Sequence, residues 1–181
     1  IDNNGCLTKY NGEDKHVEIP VAVDNIGYKA FHDCSSLQSV EIGGGIKNII
    51  EHAFEGCSSL HTVTIATVES IGYKSFNGCS SLQSVTIAGG IKRINEHAFD
   101  GCFSLLAVTI AGRGEIIGYK AFDGCSSFRT FLMPDGVKII GQKAFAGCSS
   151  LQNVTIGKGC ERIDSQAFRG CLSLRHLEIP E

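Results

Sequence analysis

Apolar residues recur in this chain at one fixed interval, longer than any helical or strand period. Phenylalanine stands at Phe31, Phe54, Phe76, Phe99, Phe122, Phe145 and Phe168, spaced by 23 residues except for one step of 22. An isoleucine precedes each of them by five residues, and a cysteine follows by three. After each cysteine comes an apolar triplet spaced L-x-x-V-x-I, as in Leu37, Val40 and Ile42 or Leu82, Val85 and Ile87, whose last two positions alternate as a strand does. The segment around each phenylalanine, such as Ile117 to Gly124, is too short for an independent helix. It is predicted to form one helical or 3₁₀ turn ending in a left-handed residue. Gly56, Gly78, Gly101, Gly124, Gly147 and Gly170 hold that last position, and Asp33 replaces glycine in the first copy.

One strand and one turn cannot bury their own apolar edge, but stacked copies cover one another. The predicted fold class is therefore a repeat solenoid, with a parallel β-sheet on one face and short helical or 3₁₀ turns on the other. Residues 1–20 differ: Leu7–Tyr10 and His16–Ile19 flank a polar Asn11–Lys15 turn, predicting an N-terminal β-hairpin cap with a leading strand. Residues 21–181 hold seven repeats, forming one solenoid domain with the cap. Pro20, Pro134 and Pro180 each follow the last apolar residue of a strand, a site expected to need no ladder donor. Seven residues before each phenylalanine the charge alternates through Asp24, Lys47, Glu69, Lys92, Glu115, Lys138 and Glu161. Stacking makes these vertical neighbours of opposite sign. The pattern has no visible cap at its C-terminal end, so a continuing chain or self-association is expected there.

Composition narrows the function classes. The 181 residues carry 16 Lys plus Arg against 19 Asp plus Glu, so no excess of positive charge favours nucleic acid or an anionic membrane. No apolar run reaches membrane-helix length, so no membrane insertion is expected. The opening Ile1-Asp2-Asn3 lacks a start methionine and is expected to mark a processed or trimmed piece.

Nine cysteines are many for this length. Cys34, Cys57, Cys79, Cys102, Cys125, Cys148 and Cys171 share one register, and Cys160 takes a position where other copies have Val23, Ile46 or Val68. They are read as buried thiols packing as small hydrophobes. Disulfides between adjacent coils are the alternative, since stacked Cα atoms fall within bridging range. A straight column cannot surround a zinc ion. His52 and His97 share a register two coils apart, too far to share a metal. Glu55, Asn77, Asp100 and Asp123 follow successive phenylalanines and could offer oxygens to calcium, but His52, His97 and Lys120 stand three residues earlier, ready to pair with them. No catalytic constellation or nucleotide fingerprint recurs, so neither enzyme activity nor a cofactor is expected.

The phrase L-x-x-V-x-I, a polar turn, V-x-x-I-G-x-x-A-F-x-G-C and L again, from Ile19 to Ile179, resembles the BspA-like class of bacterial leucine-rich repeats. The entry Leu7-Thr-Lys-Tyr-Asn-Gly12 followed by Val17-x-Ile19-Pro20 is also similar to the start of such arrays. Gly114 departs from the pattern where an apolar residue is expected. The resemblance implies a surface antigen or adhesin that binds host proteins or other cells.

The sheet's outward positions are Thr-rich, as in Thr62 and Thr64, Ser84 and Thr86, or Ala107 and Thr109. Leu106, Ala107 and Leu132 interrupt them, with Phe103 close in sequence, making an apolar island. Together with Thr86, Thr109 and Thr130 these are the candidate binding residues, for a protein or glycan partner at a cell surface. A structural spacer holding another domain and an intracellular scaffold are the alternative readings.

Overall fold

A computed structural model of the chain describes residues 1–112 and 114–179. Its strands are β1 (Cys6–Leu7) and β2 (His16–Ile19), followed in each coil by a short and a long strand. These are β3 (Asn25–Ile26) and β4 (Ser39–Ile42), β5 (Asn48–Ile49) and β6 (Thr62–Ile65), β7 (Ser70–Ile71) and β8 (Ser84–Ile87), and β9 (Arg93–Ile94) and β10 (Ala107–Ile110). They continue with β11 (Ile116–Ile117) and β12 (Thr130–Leu132), β13 (Ile139–Ile140) and β14 (Asn153–Thr155), and β15 (Arg162–Ile163) and β16 (His176–Glu178). All pairings are parallel and in register by one coil, as in Val40 opposite Val63 and Ile42 opposite Ile65. The short strands form one continuous eight-stranded sheet. The long strands form two sheets, β2 to β10 and β12 to β16.

The phenylalanine column is the spine of the core. Phe31, Phe54, Phe76, Phe99, Phe122 and Phe145 are fully buried. Their ring centroids follow one another at 4.7 to 5.2 Å, with the planes nearly parallel. Tyr10 continues the stack below, 4.8 Å from Phe31, and seals the first coil. Isoleucines of the short strands and the Leu, Val and Ile of the long strands pack around it as one cluster. Ser75 occupies an alanine position in this cluster, and its buried hydroxyl meets no partner.

Two expectations are corrected. The turn face carries no helical or 3₁₀ segment among the described residues; it is a run of tight turns. Alternate backbone N–H groups leave the coil: Phe31 N–H donates to Ala53 O at 2.7 Å and Asp33 N–H to Glu55 O at 2.9 Å, in the next coil. The intervening ones close turns locally, Ala30 to Gly27 O and His32 to Lys29 O. A helix would consume all these donors within the coil. The pattern needs two left-handed residues per coil, and the second was not foreseen. Lys29, His52, Lys74, His97, Lys120, Lys143 and Gln166 have φ between 52 and 61°. Each costs about 1 kcal/mol or more relative to the right-handed form, and the bonds between coils offset it.

The N-terminal segment is not a hairpin. β1 pairs with β3 in the short-strand sheet, while β2 pairs with β4 in the long-strand sheet. Residues 1–20 thus form a shortened coil whose two strands lie in different sheets. At Gly114, a side chain would press on Val137 Cγ2 at 3.1 Å, so the apolar position is filled from the next coil. In the seventh coil Ile163, Leu177 and Ile179 are exposed.

Three rungs of the alternating charge column close as ion pairs: Asp24 with Lys47 at 3.5 Å, Glu69 with Lys92 at 2.7 Å, and Lys138 with Glu161 at 3.8 Å. The Lys92 ammonium bonded to it holds the Glu69 carboxyl below the usual carboxylate range.

Candidate functional site

The long strands alternate strictly, because successive side chains point to opposite faces. Val and Ile enter the core, and the other residues face outward. Glu18 lies opposite Glu41, Thr64 opposite Thr86, and Thr86 opposite Thr109. Glu178 ends the row beside Thr155. Between Glu41 and Glu178 the row of Thr64, Thr86, Thr109, Leu132 and Thr155 is uncharged. A row in front of the strands runs through Gln83, Leu106 and Arg129, all exposed.

A seam crosses this surface between β10 and β12, which share no pairing although their neighbours do. Two residue choices account for it. In the first four coils, the residue after the strand donates to the coil below: Gly43 N–H to Ile19 O at 3.2 Å, then Ala66 N–H to Ile42 O, Ala88 N–H to Ile65 O, and Ala111 N–H to Ile87 O, at 2.8 to 2.9 Å. Pro134 holds this position in the fifth coil and has no N–H. The expectation that a proline here displaces no ladder donor is therefore wrong for Pro134. It stands for Pro20, which has no coil below, and Pro180 lies outside the described residues.

The second cause is volume. Phe128 and Phe131 stand in columns that hold Leu and Val in the coil below, and both are fully buried against Phe122 and Phe145. Phe131 thus puts a ring where Val108 stands in the coil below, at the point where β12 and β10 do not pair. At the start of the strands, Gln83 O accepts from Leu106 N–H and Arg129 O from Gln152 N–H, whereas no such bond joins Arg129 to Leu106.

The seam opens as a cleft of about 420 Å³ lined by Val108, Thr109, Ile110, Leu132, Pro134 and Asp135. Leu132 is 68% exposed at its lip. Ile110 is half-buried where Ile87 is fully covered.

The candidate residues distribute as follows. Thr86 lies on β8, Ala107 and Thr109 on β10, and Thr130 and Leu132 on β12, all exposed. Leu106 directly precedes β10 and is 45% exposed. Phe103 is not on the sheet: its ring lies over the glycine row, within 3.7 to 3.9 Å of where Gly124 and Gly101 would carry a Cβ. The cleft residues Val108, Ile110, Met133 and Pro134 escaped the sequence reading. Their signal was present in Phe128, Phe131 and Pro134, three departures within one repeat.

The turn face holds most of the remaining polar chemistry. His52 Nδ1 lies 2.7 Å from Glu55, His97 Nδ1 2.8 Å from Asp100, and Lys120 Nζ 2.8 Å from Asp123. These carboxylates are thus engaged locally. Tyr28, His52, Tyr73, His97 and Tyr119 form an edge-to-face ladder with centroids 5.2 to 5.9 Å apart. Among the described residues, no group of three or more His, Cys, Asp or Glu side chains is placed to hold a metal. No helix among them is long and apolar enough to cross a membrane.

All nine cysteines are free thiols. From the second coil on, each column member donates its S–H to the phenylalanine carbonyl of the coil below, as in Cys57 to Phe31 O at 2.9 Å and Cys102 to Phe76 O at 3.2 Å. Burial pushes the Cys34 and Cys171 thiols up to about 11, and raises Cys79, Cys102, Cys125 and Cys148 well above the ordinary range. The thiolate is the reactive form, so Cys79, Cys102, Cys125 and Cys148 are inert. Native protein under mild alkylation is expected to modify no more than the four partly exposed thiols, Cys6, Cys34, Cys160 and Cys171, and all nine once unfolded. Mass spectrometry counts them; rapid native labelling of Cys102 would contradict the burial.

A family model described as "BspA type Leucine rich repeat region" matches the chain in six copies, over residues 8–129 and 115–181. No curated protein matches. Among solved structures, the Treponema pallidum leucine-rich repeat protein is similar at 27% identity and a TM-score of 0.69, covering 94% of this chain and 72% of its own. A leucine-rich repeat protein from Eubacterium ventriosum, at 18% identity and a TM-score of 0.58, covers 99% of this chain and 48% of its own, and shares the fold.

Proposed function

Because the chain belongs to the BspA type leucine-rich repeat family, we propose that it is a non-catalytic recognition module, displayed at a cell surface, that binds an extended segment of a partner protein across the seam of its long-strand sheet. The observation that carries this reading is the seam itself. An otherwise paired, threonine-lined sheet is interrupted at one place, where Leu132 stands exposed and Ile110 is partly uncovered. Burying such surface drives association, and an aliphatic or aromatic side chain of the partner fits the cleft. The unpaired edge supplies the polar half of the recognition: with Pro134 opposite, the Ile110 carbonyl is open to a backbone N–H from an extended chain. Surrounding threonines exclude water without imposing charge, and the glutamates at either end of the row disfavour acidic partners. Surface display draws support from the surface antigens in the class that the repeat resembles.

Selection of a phage-displayed random peptide library on the folded protein tests this, with a glycan array in parallel. Enrichment of peptides carrying apolar anchors is expected. Their affinity should fall about 100-fold in the Leu106→Glu, Leu132→Glu double variant, as when hot-spot contacts are replaced by charge. Melting should be nearly unchanged, because both side chains are exposed. Enriched peptides that bind the variant equally well overturn the seam as the site. An absence of enrichment on peptides and glycans alike leaves the spacer reading in its place.

A further inference from the structure

We infer that the turn face carries a second site, centred on Lys143, for a tetrahedral oxyanionic group, a phosphate or sulfate ester. The repeat provides its own template. In the row two residues before each phenylalanine, the side chain normally finds compensation within its own coil. His52, His97 and Lys120 pair with Glu55, Asp100 and Asp123 at 2.7 to 2.8 Å. Lys29, Lys74 and Lys120 also lie over the rings of Tyr28, Tyr73 and Tyr119, 5.5 to 5.9 Å from the centroids.

Lys143 has neither kind of partner. Gln142 takes the tyrosine position and turns its amide to Ser165 Oγ at 3.1 Å, and Ala146 takes the position of the acid. In the next coil the acid row continues with Arg169. Among the described residues, neither Lys143 nor Arg169 forms an ion pair. Lys143 is half-buried.

These groups border one cleft of about 370 Å³, together with Lys120, Asp123 and the glycine row at Gly147 and Gly170. Asp123 neutralises Lys120, which leaves the two charges of Lys143 and Arg169 unmatched. A ligand oxyanion takes the place that the carboxylates of Asp100 and Asp123 hold in their coils. Lys143 meets it as a point charge, and the Arg169 guanidinium offers two parallel donors. Phosphate carries between one and a half and two charges near neutral pH, about the number the cleft lacks. The site shares no lining residue with the seam, so the two can be tested independently.

The test is an amide chemical-shift titration with sodium phosphate, and separately with sodium sulfate, at ionic strength held constant with sodium chloride because surface charge is screened by salt. Saturating shifts are expected at Lys143, Gly147, Arg169 and Gly170, without shifts at Thr64 and Thr86. Whichever anion saturates at the lower concentration identifies the ester class. Ala146→Asp copies the arrangement of the fifth coil, supplies the carboxylate internally, and is expected to weaken binding about tenfold or more. Lys143→Gln should weaken it comparably. Non-saturating shifts that match those from chloride, or undiminished binding by Ala146→Asp, overturn the site.

Discussion

Phe99→Ala is expected to lower folding stability by about 3 to 5 kcal/mol, the range for truncating a fully buried aromatic side chain. Phe99 is completely buried, and its ring lies 5.1 Å from Phe76 and 5.2 Å from Phe122, with planes only 2 to 3° apart. The neighbouring rings cannot close the resulting gap, because coil spacing is fixed independently of them. Phe99 N–H donates to Ala121 O at 2.8 Å, and β9, just before it in the same coil, pairs with β11. The truncation therefore loses both the transfer energy and the stacking contacts, and keeps most of the void. Urea denaturation followed by circular dichroism measures the loss. A change under about 1 kcal/mol would mean that the phenylalanine column is not what holds the coils together. Phe103→Ala, four residues away in the same repeat, is the control: its ring is 56% exposed, and its removal should move stability little.

Hydrogen exchange at the seam is the second large effect. In a parallel ladder, alternate amides face opposite neighbours. Ala107 N–H and Ala111 N–H bond toward the coil below, so Val108 and Ile110 N–H face β12, and Thr130 and Leu132 N–H face β10. These four amides are expected to exchange on the order of 100-fold faster than Val63 and Ile65, which hold the positions of Val108 and Ile110 in a strand paired on both sides. Mass spectrometry or NMR of the native protein in deuterated buffer reads the difference. Equal protection would show that β10 and β12 pair in solution. Pro134→Ala combined with Phe131→Val restores the donor and withdraws the oversized ring. It should bring the four amides close to the protection of Val63 and Ile65; unchanged exchange would assign the separation to another cause.

The repeat made the core legible from sequence, because each inward residue is written seven times and a register error would show at once. Phe99, Ile94 and Cys102 could be placed without coordinates. The turn face was harder. Residues such as Lys29 and His52 give no compositional sign of a left-handed backbone, since the bonds that stabilise it run to the next coil. The short strands were missed for a related reason: two residues with one inward isoleucine, as in Asn48–Ile49, leave no alternation to read. Of the candidate site, the exposed residues were legible as departures from a threonine pattern. The cleft was not, because Phe128 and Phe131 look like conservative replacements for Leu and Val until the spacing of the strands is known. Phe103 is close to Leu106 in sequence, yet the turn between them carries its ring to a different face, over the glycine row.

The unpaired strands bear on how the molecule comes apart. A stack whose coils touch only their neighbours has a stability summed from one interface after another, and its transition is shared only as far as adjacent coils remain coupled. Coupling is weakest where the long-strand sheet is cut, although β9 and β11 still pair across it. The chain is thus expected to unfold as two blocks, the first ending at the fourth coil and the second beginning at the fifth, held together by the short strands, the turn face and the phenylalanine column, and anything that bridges β10 and β12 should make them melt as one.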